Sequence, residues 1–309
     1  MLSIKSPALK ASFSDIGARL MALEVDGVDV VFGNAYDFDP YKDDAYPGVT
    51  CGRYAGRITG SQFELDGAVH KLAPNQDGFQ LHGGPDGLGH LKWQSKKKGS
   101  EVVFELTSPD GDQGFPGELK VTATYGVKGN VLYADLEAVT SKPTVINLTN
   151  HAYWNLAGQT AGKDSALSQE IQINASRYLP IHKNLTPTGV IADVKGTEFD
   201  FRKLRAVGQP YDHCFCLDGK RGQLHQALTQ RDPQSGRRME VWTTECAVQF
   251  YTAIHWNTKL KGKSGPMQQH QAIAIEPQNF PDAPNNPNFP SSVLRPGRTY
   301  LNRIEWRFY

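Results

Sequence analysis

No stretch of this chain approaches the roughly eighteen consecutive apolar residues that a membrane-spanning helix needs. Its N-terminus, MLSIKSPALKASFSDIGARL, alternates polar and apolar residues without the apolar core of a signal peptide. A cytoplasmic protein without a membrane segment is the expectation. Charge of one sign is equally scarce: 33 Lys and Arg stand against 32 Asp and Glu, and the one basic run is KKK at 96 to 98. Nucleic acid is therefore not an expected partner. Cysteine is sparse, with Cys51, Cys214, Cys216 and Cys246 alone. Cys214 and Cys216 share one face of a strand, but no second pair has zinc-ligand spacing, so inert thiols and no metal are expected. His213 should leave that strand on the opposite face and so cannot serve as a base for either thiol. Neither a G-x-G-x-x-G nor a Walker pattern occurs, which excludes the common phosphate-cradling loops. Helical periodicity sustained over three turns is absent too.

Apolar residues at 39%, with 14 Phe, 12 Tyr and 5 Trp, supply a sizeable core. They fall into short runs of period two, such as EVVFEL (101 to 106), LKVTATYGV (119 to 127) and VLYADLEAV (131 to 139), which predict strands. Asp-Gly occurs at Asp26, Asp66, Asp77, Asp86, Asp110 and Asp218. Several copies lie between apolar runs, where a type I′ turn would close a hairpin, FELDGAVHKL being the clearest. The fold class predicted is all-β, an antiparallel sandwich or barrel. With no repeat and no Gly, Ser or Pro-rich linker, a single domain over 1–309 is the simplest organisation. Two long loops, DFDPYKDDAYPG (37 to 48) and NFPDAPNNPNFPSS (279 to 292), are either binding ridges or plain connections.

Four stretches combine ionisable side chains with glycines or aromatics: GRYAGRI (52 to 58), LHGG (81 to 84), NLTNHAYWNL (147 to 156) and IAIEPQNFPDAPN (273 to 285). IAIE reads as a buried strand ending on Glu276. Burial would raise that carboxyl's pKa, and a nearby histidine or arginine would lower it, so it could act as a base near neutral pH or as one half of an ion pair. Two exposed histidines, a glutamate, an arginine and several aromatics make an inventory suited to moving protons on a polar ring: aromatics stack on sugar C–H faces while Asp, Arg and His bind hydroxyls.

At these residues the chain resembles the aldose 1-epimerase (galactose mutarotase) family. The resemblance runs from GARL (18 to 21) through GRYAGRI, LHGG, GFPG (114 to 117), NLTNHAYWNL, YLPIHKNLTPTG (178 to 189), YDHCF (211 to 215), QFYT (249 to 252) and EPQNFPDAPN to LRPGRTY (294 to 300). It implies a large antiparallel supersandwich, an isomerase that interconverts the α and β anomers of a free aldose, and no cofactor. Glu276 matches the general base that takes the proton of the anomeric hydroxyl, and His151 the general acid that protonates the ring oxygen. His82, Arg57, Asp212 and Gln249 match sugar-binding positions. A carboxylate and an imidazolium are expected together, each holding the other charged. The partner implied is a monosaccharide, in a monomer or homodimer.

Several positions depart from the family's pattern. Gly56 stands where many members have an asparagine that touches the sugar, Ile254, His255 and Trp256 replace a usual run beside the cleft, and Trp154, where Phe is common, would be a bulkier platform under the ring. Galactose or glucose is the default substrate, with a pentose, a deoxysugar or an acidic sugar open. The remaining histidines, His70, His90, His182, His213, His225, His255 and His270, read as surface or structural, His213 lying near the cleft. A carbohydrate-binding protein without turnover, a glycoside-processing enzyme using Glu276 with Asp212, and a phosphosugar mutarotase with clustered cations are the alternatives.

Overall fold

The computed structural model describes residues 1–35 and 45–309; positions 37–44 of the first long loop lie outside them. The described residues form strands and three short 3₁₀ segments, with no α-helix among them. The three runs with the clearest period of two become the strands Glu101–Ser108, Leu119–Lys128 and Val131–Thr140. They pair antiparallel, and Val131–Thr140 continues onto Tyr300–Phe308 inside a nine-stranded sheet. Lys96, Lys97 and Lys98 sit on its outermost strand, Gln94–Lys98, where charge blocks edge-to-edge pairing. Two Asp-Gly pairs make the expected turns. Asp66 and Gly67, at φ +52° and +80°, join Gln62–Leu65 to Ala68–Lys71, and Asp26 and Gly27 do the same for Arg19–Val25 and Val28–Asp29.

A seven-stranded antiparallel sheet packs against the nine-stranded one. Its order is Ala192–Asp193, Arg177–Leu179, Asp212–Cys216, Ala247–Tyr251, Ile273–Gln278, Tyr153–Trp154 and Val31–Phe32. Side chains alternate across a strand, so one face sends Phe215, Val248, Phe250, Ile273 and Ile275 into a core shared with Phe104, Tyr125, Leu136 and Trp306 of the larger sheet. The architecture is thus the large β-sandwich expected. Trp154 belongs to this core, its ring 5.6 Å from that of Trp306. It is not a platform under a ligand, because in a strand it is the neighbour Tyr153 that faces the other way.

Glu276 does not end its strand, which runs two residues further through Pro277 to Gln278. The Pro277 carbonyl accepts from Thr149 Oγ1 at 2.8 Å and Asn302 Nδ2 at 2.9 Å, so that residue's backbone faces side chains and not the neighbouring Ala247–Tyr251 strand. A missing N–H on that side removes no ladder bond, and the strand tolerates proline.

Outside the sheets the chain is held by buried polar side chains. Arg53, the first arginine of GRYAGRI, donates to Ser108 Oγ, the Gly117 carbonyl, the Ser108 carbonyl and the Pro109 carbonyl at 2.8, 2.8, 2.9 and 2.6 Å. It ties the segment leading to Arg57 onto the loop at 108–117. Arg53→Met should leave those acceptors buried and unpaired, destabilising the protein by roughly 3–5 kcal/mol; urea unfolding would measure it, and a loss within experimental error would show that the brace is dispensable.

Candidate active site

The face of the seven-stranded sheet turned away from the core is the floor of a cleft of about 260 Å3. Three adjacent strands contribute alternate residues to it: Asp212 and Cys214, then Gln249 and Tyr251, then Glu276 and Gln278. Register places Gln249 opposite both Cys214 and Glu276. Tyr153 extends the floor, Leu179, Ile181, Leu185 and Pro187 from the 178–189 stretch form one wall, and Trp256 with Leu260 lies on another.

All six residues singled out in the sequence, Arg57, His82, His151, Asp212, Gln249 and Glu276, line this one cleft. His151 and Glu276 meet at 3.4 Å between Nε2 and Oε1. Both are buried, at 4% and 2% exposure, and so is His82 at 8%, so the two histidines are not exposed as expected. Three asparagines of NLTNHAYWNL secure His151. Asn147 Nδ2 donates to the Ala55 and Asn279 carbonyls, Asn150 Nδ2 to the Gly48 carbonyl, and Asn155 Nδ2 to the Gln271 carbonyl.

His82 follows the strand Phe79–Leu81, whose partner is Arg57–Thr59. The chain then turns through three positive φ angles, +51° at His82, +93° at Gly83 and +100° at Gly84. A Cβ on Gly83 would lie 1.9 Å from the Gly52 carbonyl oxygen, so the motif's first glycine is demanded by close backbone approach. The Gly56 N–H donates to His82 Nδ1 at 3.2 Å. Nδ1 is therefore an acceptor, and the proton of neutral His82 sits on Nε2. Ligand atoms of His82, His151 and Glu276 come within 4.8 Å of one another, close enough for a metal. The chemistry does not suit one, because a metal-bound histidine normally donates from its other nitrogen and His82 accepts there.

Burial sets the protonation of the pair. It raises the Glu276 carboxyl well above the ordinary carboxylate range, with the nearby Asp212 adding and Arg57 opposing. It pushes His151 down to about 4. His82 is held well below the usual imidazole value by burial first and by His151, Arg57 and His90 after that. Both shifts run against the expectation that Glu276 and His151 hold each other charged, because removal from water outweighs their attraction.

Arg57 makes no salt bridge at a sheet edge; its guanidinium lies 5.3 Å from the Phe79 ring and its Nε is buried without a hydrogen-bond partner. Asp212 caps no turn, and accepts from Gln249 Nε2 at 2.6 Å. His213 points to the opposite face, against Phe199 at 4.5 Å, and does not line the cleft. His255 lines it from an exposed position, in keeping with its surface reading, and Trp256 lines it too, whereas Ile254 does not. Of the second long loop Pro281 reaches the cleft, while Phe280 and Phe289 pack inward, so it is chiefly a brace. Tyr46, Tyr153, Tyr251 and Gln278 went unnoticed in the sequence. Tyr251 and Gln278 were within reach, each lying two residues beyond a named site residue on the same strand.

Comparison with known proteins gives one answer. A family model described as aldose 1-epimerase matches residues 1–307. Galactose mutarotase of Homo sapiens is 38% identical over 319 residues, covering 99% of this chain and 92% of that protein. Aldose 1-epimerase of Escherichia coli (strain K12) is 34% identical over 87% of this chain and 82% of its own. Among solved structures, a GalM/aldose epimerase homologue from C. elegans superposes with a TM-score of 0.92 at 31% identity, covering 100% of this chain and 98% of that one.

The raised Glu276 carboxyl has a consequence for stability. Above the ordinary value of 4.5 the unfolded chain releases this proton while the folded chain keeps it, so wild type loses stability as pH rises from there toward the raised folded value. Glu276→Gln removes that loss. Its gain in Tm over wild type should be near zero at about pH 4 and grow as the pH is raised above the ordinary carboxyl range; a gain independent of pH would contradict the elevation.

Proposed function

The chain belongs to the aldose 1-epimerase family, and from that premise we propose that Glu276 is the catalytic base and His151 the catalytic acid of this isomerase. The observation that carries the assignment is the 3.4 Å separation of Glu276 Oε1 and His151 Nε2 in the floor of the cleft. The anomeric hydroxyl and the ring oxygen are bonded to the same carbon, so a base for one and an acid for the other must stand side by side.

Ring opening moves two protons. Glu276 takes the proton of O1 as the C1–O5 bond breaks and O1 becomes the aldehyde oxygen, while His151 Nε2 gives its proton to O5. Rotation about C1–C2 presents the other carbonyl face. On closure O5 returns its proton to His151, attacks C1, and O1 recovers a proton from Glu276. Burial helps the opening step in both places, since a carboxylate of raised pKa is a stronger base and an imidazolium of lowered pKa a stronger acid. Once the ring is open Glu276 is protonated and His151 neutral, and burial favours that form of each.

The remaining residues bind. His82, neutral with Nε2–H free to donate, supports charge at the ring oxygen or holds a hydroxyl. Arg57 donates to hydroxyls, and Asp212, oriented by Gln249, accepts from them. Tyr153, Tyr251 and Trp256 offer ring faces, the Tyr153 and Trp256 centroids being 4.5 Å apart. Among the described lining residues Arg57 is the one permanent cation, which favours an uncharged sugar over a phosphorylated one. Galactose is the substrate proposed, as the names of the relatives suggest.

The proposal extends to organisation. Both sheets draw strands from early and late in the chain, so no cut separates them, and one domain over 1–309 follows. None of the four cysteines forms a disulfide among the described residues, in keeping with the reducing cytoplasm. No described helix is long and apolar enough to cross a membrane. A monomer or a homodimer is proposed.

Polarimetry of freshly dissolved α-D-galactose tests the chemistry. Glu276→Gln and His151→Asn should each lower kcat by roughly 10²- to 10⁴-fold. The wild-type rate should follow a bell-shaped pH profile, because the working pair carries one proton, neither two nor none. Full activity in either variant would remove that residue from its role.

A further inference from the structure

We infer that Gln278 is a substrate-binding residue that reads one sugar hydroxyl as both donor and acceptor, and that glycine at position 56 leaves it free to do so. The inference rests on the placement of the sugar's C1 between Glu276 and His151.

Gln278 lies two residues beyond Glu276 on the same strand, faces the same cleft and is only 1% exposed. Its Oε1 is buried without a hydrogen-bond partner, and no hydrogen bond of its side chain is found among the described residues. Oε1 of Gln80 and of Gln230 is likewise without a partner, but every other buried glutamine is anchored through its amide nitrogen. Gln80 Nε2 donates to the Ala73 carbonyl, Gln169 Nε2 to Asn155 Oδ1, Gln230 Nε2 to Gln169 Oε1 and Gln271 Nε2 to the Ala161 carbonyl. A buried amide with nothing to bind in the protein is stable only if a ligand or water completes it.

The surroundings identify the ligand group. Gly56, at φ +80°, borders the amide: a Cβ there would stand 3.5 Å from Gln278 Nε2 and 3.0 Å from Pro281 Cβ. A side chain at position 56 would press on Pro281 and reach the Gln278 amide, where a polar one could hydrogen-bond with it. With glycine there, the amide keeps both its N–H and its carbonyl for the cleft. An amide both donates and accepts, so a group that does likewise, a hydroxyl, is what it matches. Strand rise sets Gln278 about 7 Å from Glu276, which places this hydroxyl away from the anomeric carbon. Gln278 thereby selects a substituent on the far side of the ring and takes no part in proton transfer.

Gln278→Met keeps length and volume but loses both hydrogen-bonding functions. Kinetics on galactose and on its 2-, 3-, 4- and 6-deoxy analogues, for wild type and variant, provide the test, with circular dichroism to confirm folding. On galactose KM should rise about tenfold, one lost hydrogen bond's worth, while kcat stays within about twofold. Wild type should lose a similar factor on one deoxy analogue, and on that analogue wild type and variant should agree. Should Gln278→Met not fold, Gln278→Asn, which withdraws the amide by one methylene, should give the same selective pattern. A loss of equal size on every sugar, or one confined to kcat, would make Gln278 a structural residue and overturn the inference. Retained activity in His151→Asn would overturn it by another route, by removing the placement of C1.

Discussion

The cleft depends on the satisfaction of backbone polar groups in three segments that the long sheet ladders pair only in part, 48–56, 146–156 and 277–282. A buried carbonyl or N–H without a partner is costly, and these segments cannot satisfy each other by strand pairing alone. Side chains do the joining. Asn147 spans two of the three, donating to Ala55 and Asn279 while its Oδ1 accepts from the Asn279 N–H at 2.8 Å. Asn302 reaches from the opposite sheet to the Leu148 and Pro277 carbonyls. His151 and Glu276 are neighbours because their segments are stitched in this way.

That stitching permits what the chemistry requires, which is burial. A carboxyl and an imidazole out of water prefer to be neutral, and this preference is the source of base strength in one and acid strength in the other. Several polar atoms of the cleft lining have no partner in the protein: Glu276 Oε2, His151 Nδ1, Arg57 Nε and Gln278 Oε1 are all buried without one among the described residues. A sheet face that carries so many unmet groups is organised for a polar ligand, while the opposite face of the same strands carries Phe215, Phe250 and Ile275 in an unbroken core.

Alternation of apolar residues over 101–139 and the Asp-Gly turn at 66–67 were enough to specify strands and a hairpin, since both depend on neighbours a few residues away. The motifs around Glu276, His151, His82, Arg57, Asp212 and Gln249 named the site by resemblance. Local reasoning failed where a residue's environment comes from distant chain. Pro277 seemed to end its strand because its carbonyl partners, Thr149 and Asn302, are far away in sequence. Trp154 was assigned to the wrong surroundings for the same reason.

The sequence by itself determined the all-β class, the family and the residue types that line the cleft, because period two, turn chemistry and extended motifs are local properties of the chain. Tertiary structure alone decided that Glu276 and His151 are buried together, that the Gln278 side chain is left without a partner among the described residues beside Gly56, and that burial disfavours the charged form of each member of the pair. Each of these follows from desolvation and register, and both are produced only when strands distant in sequence are laid side by side.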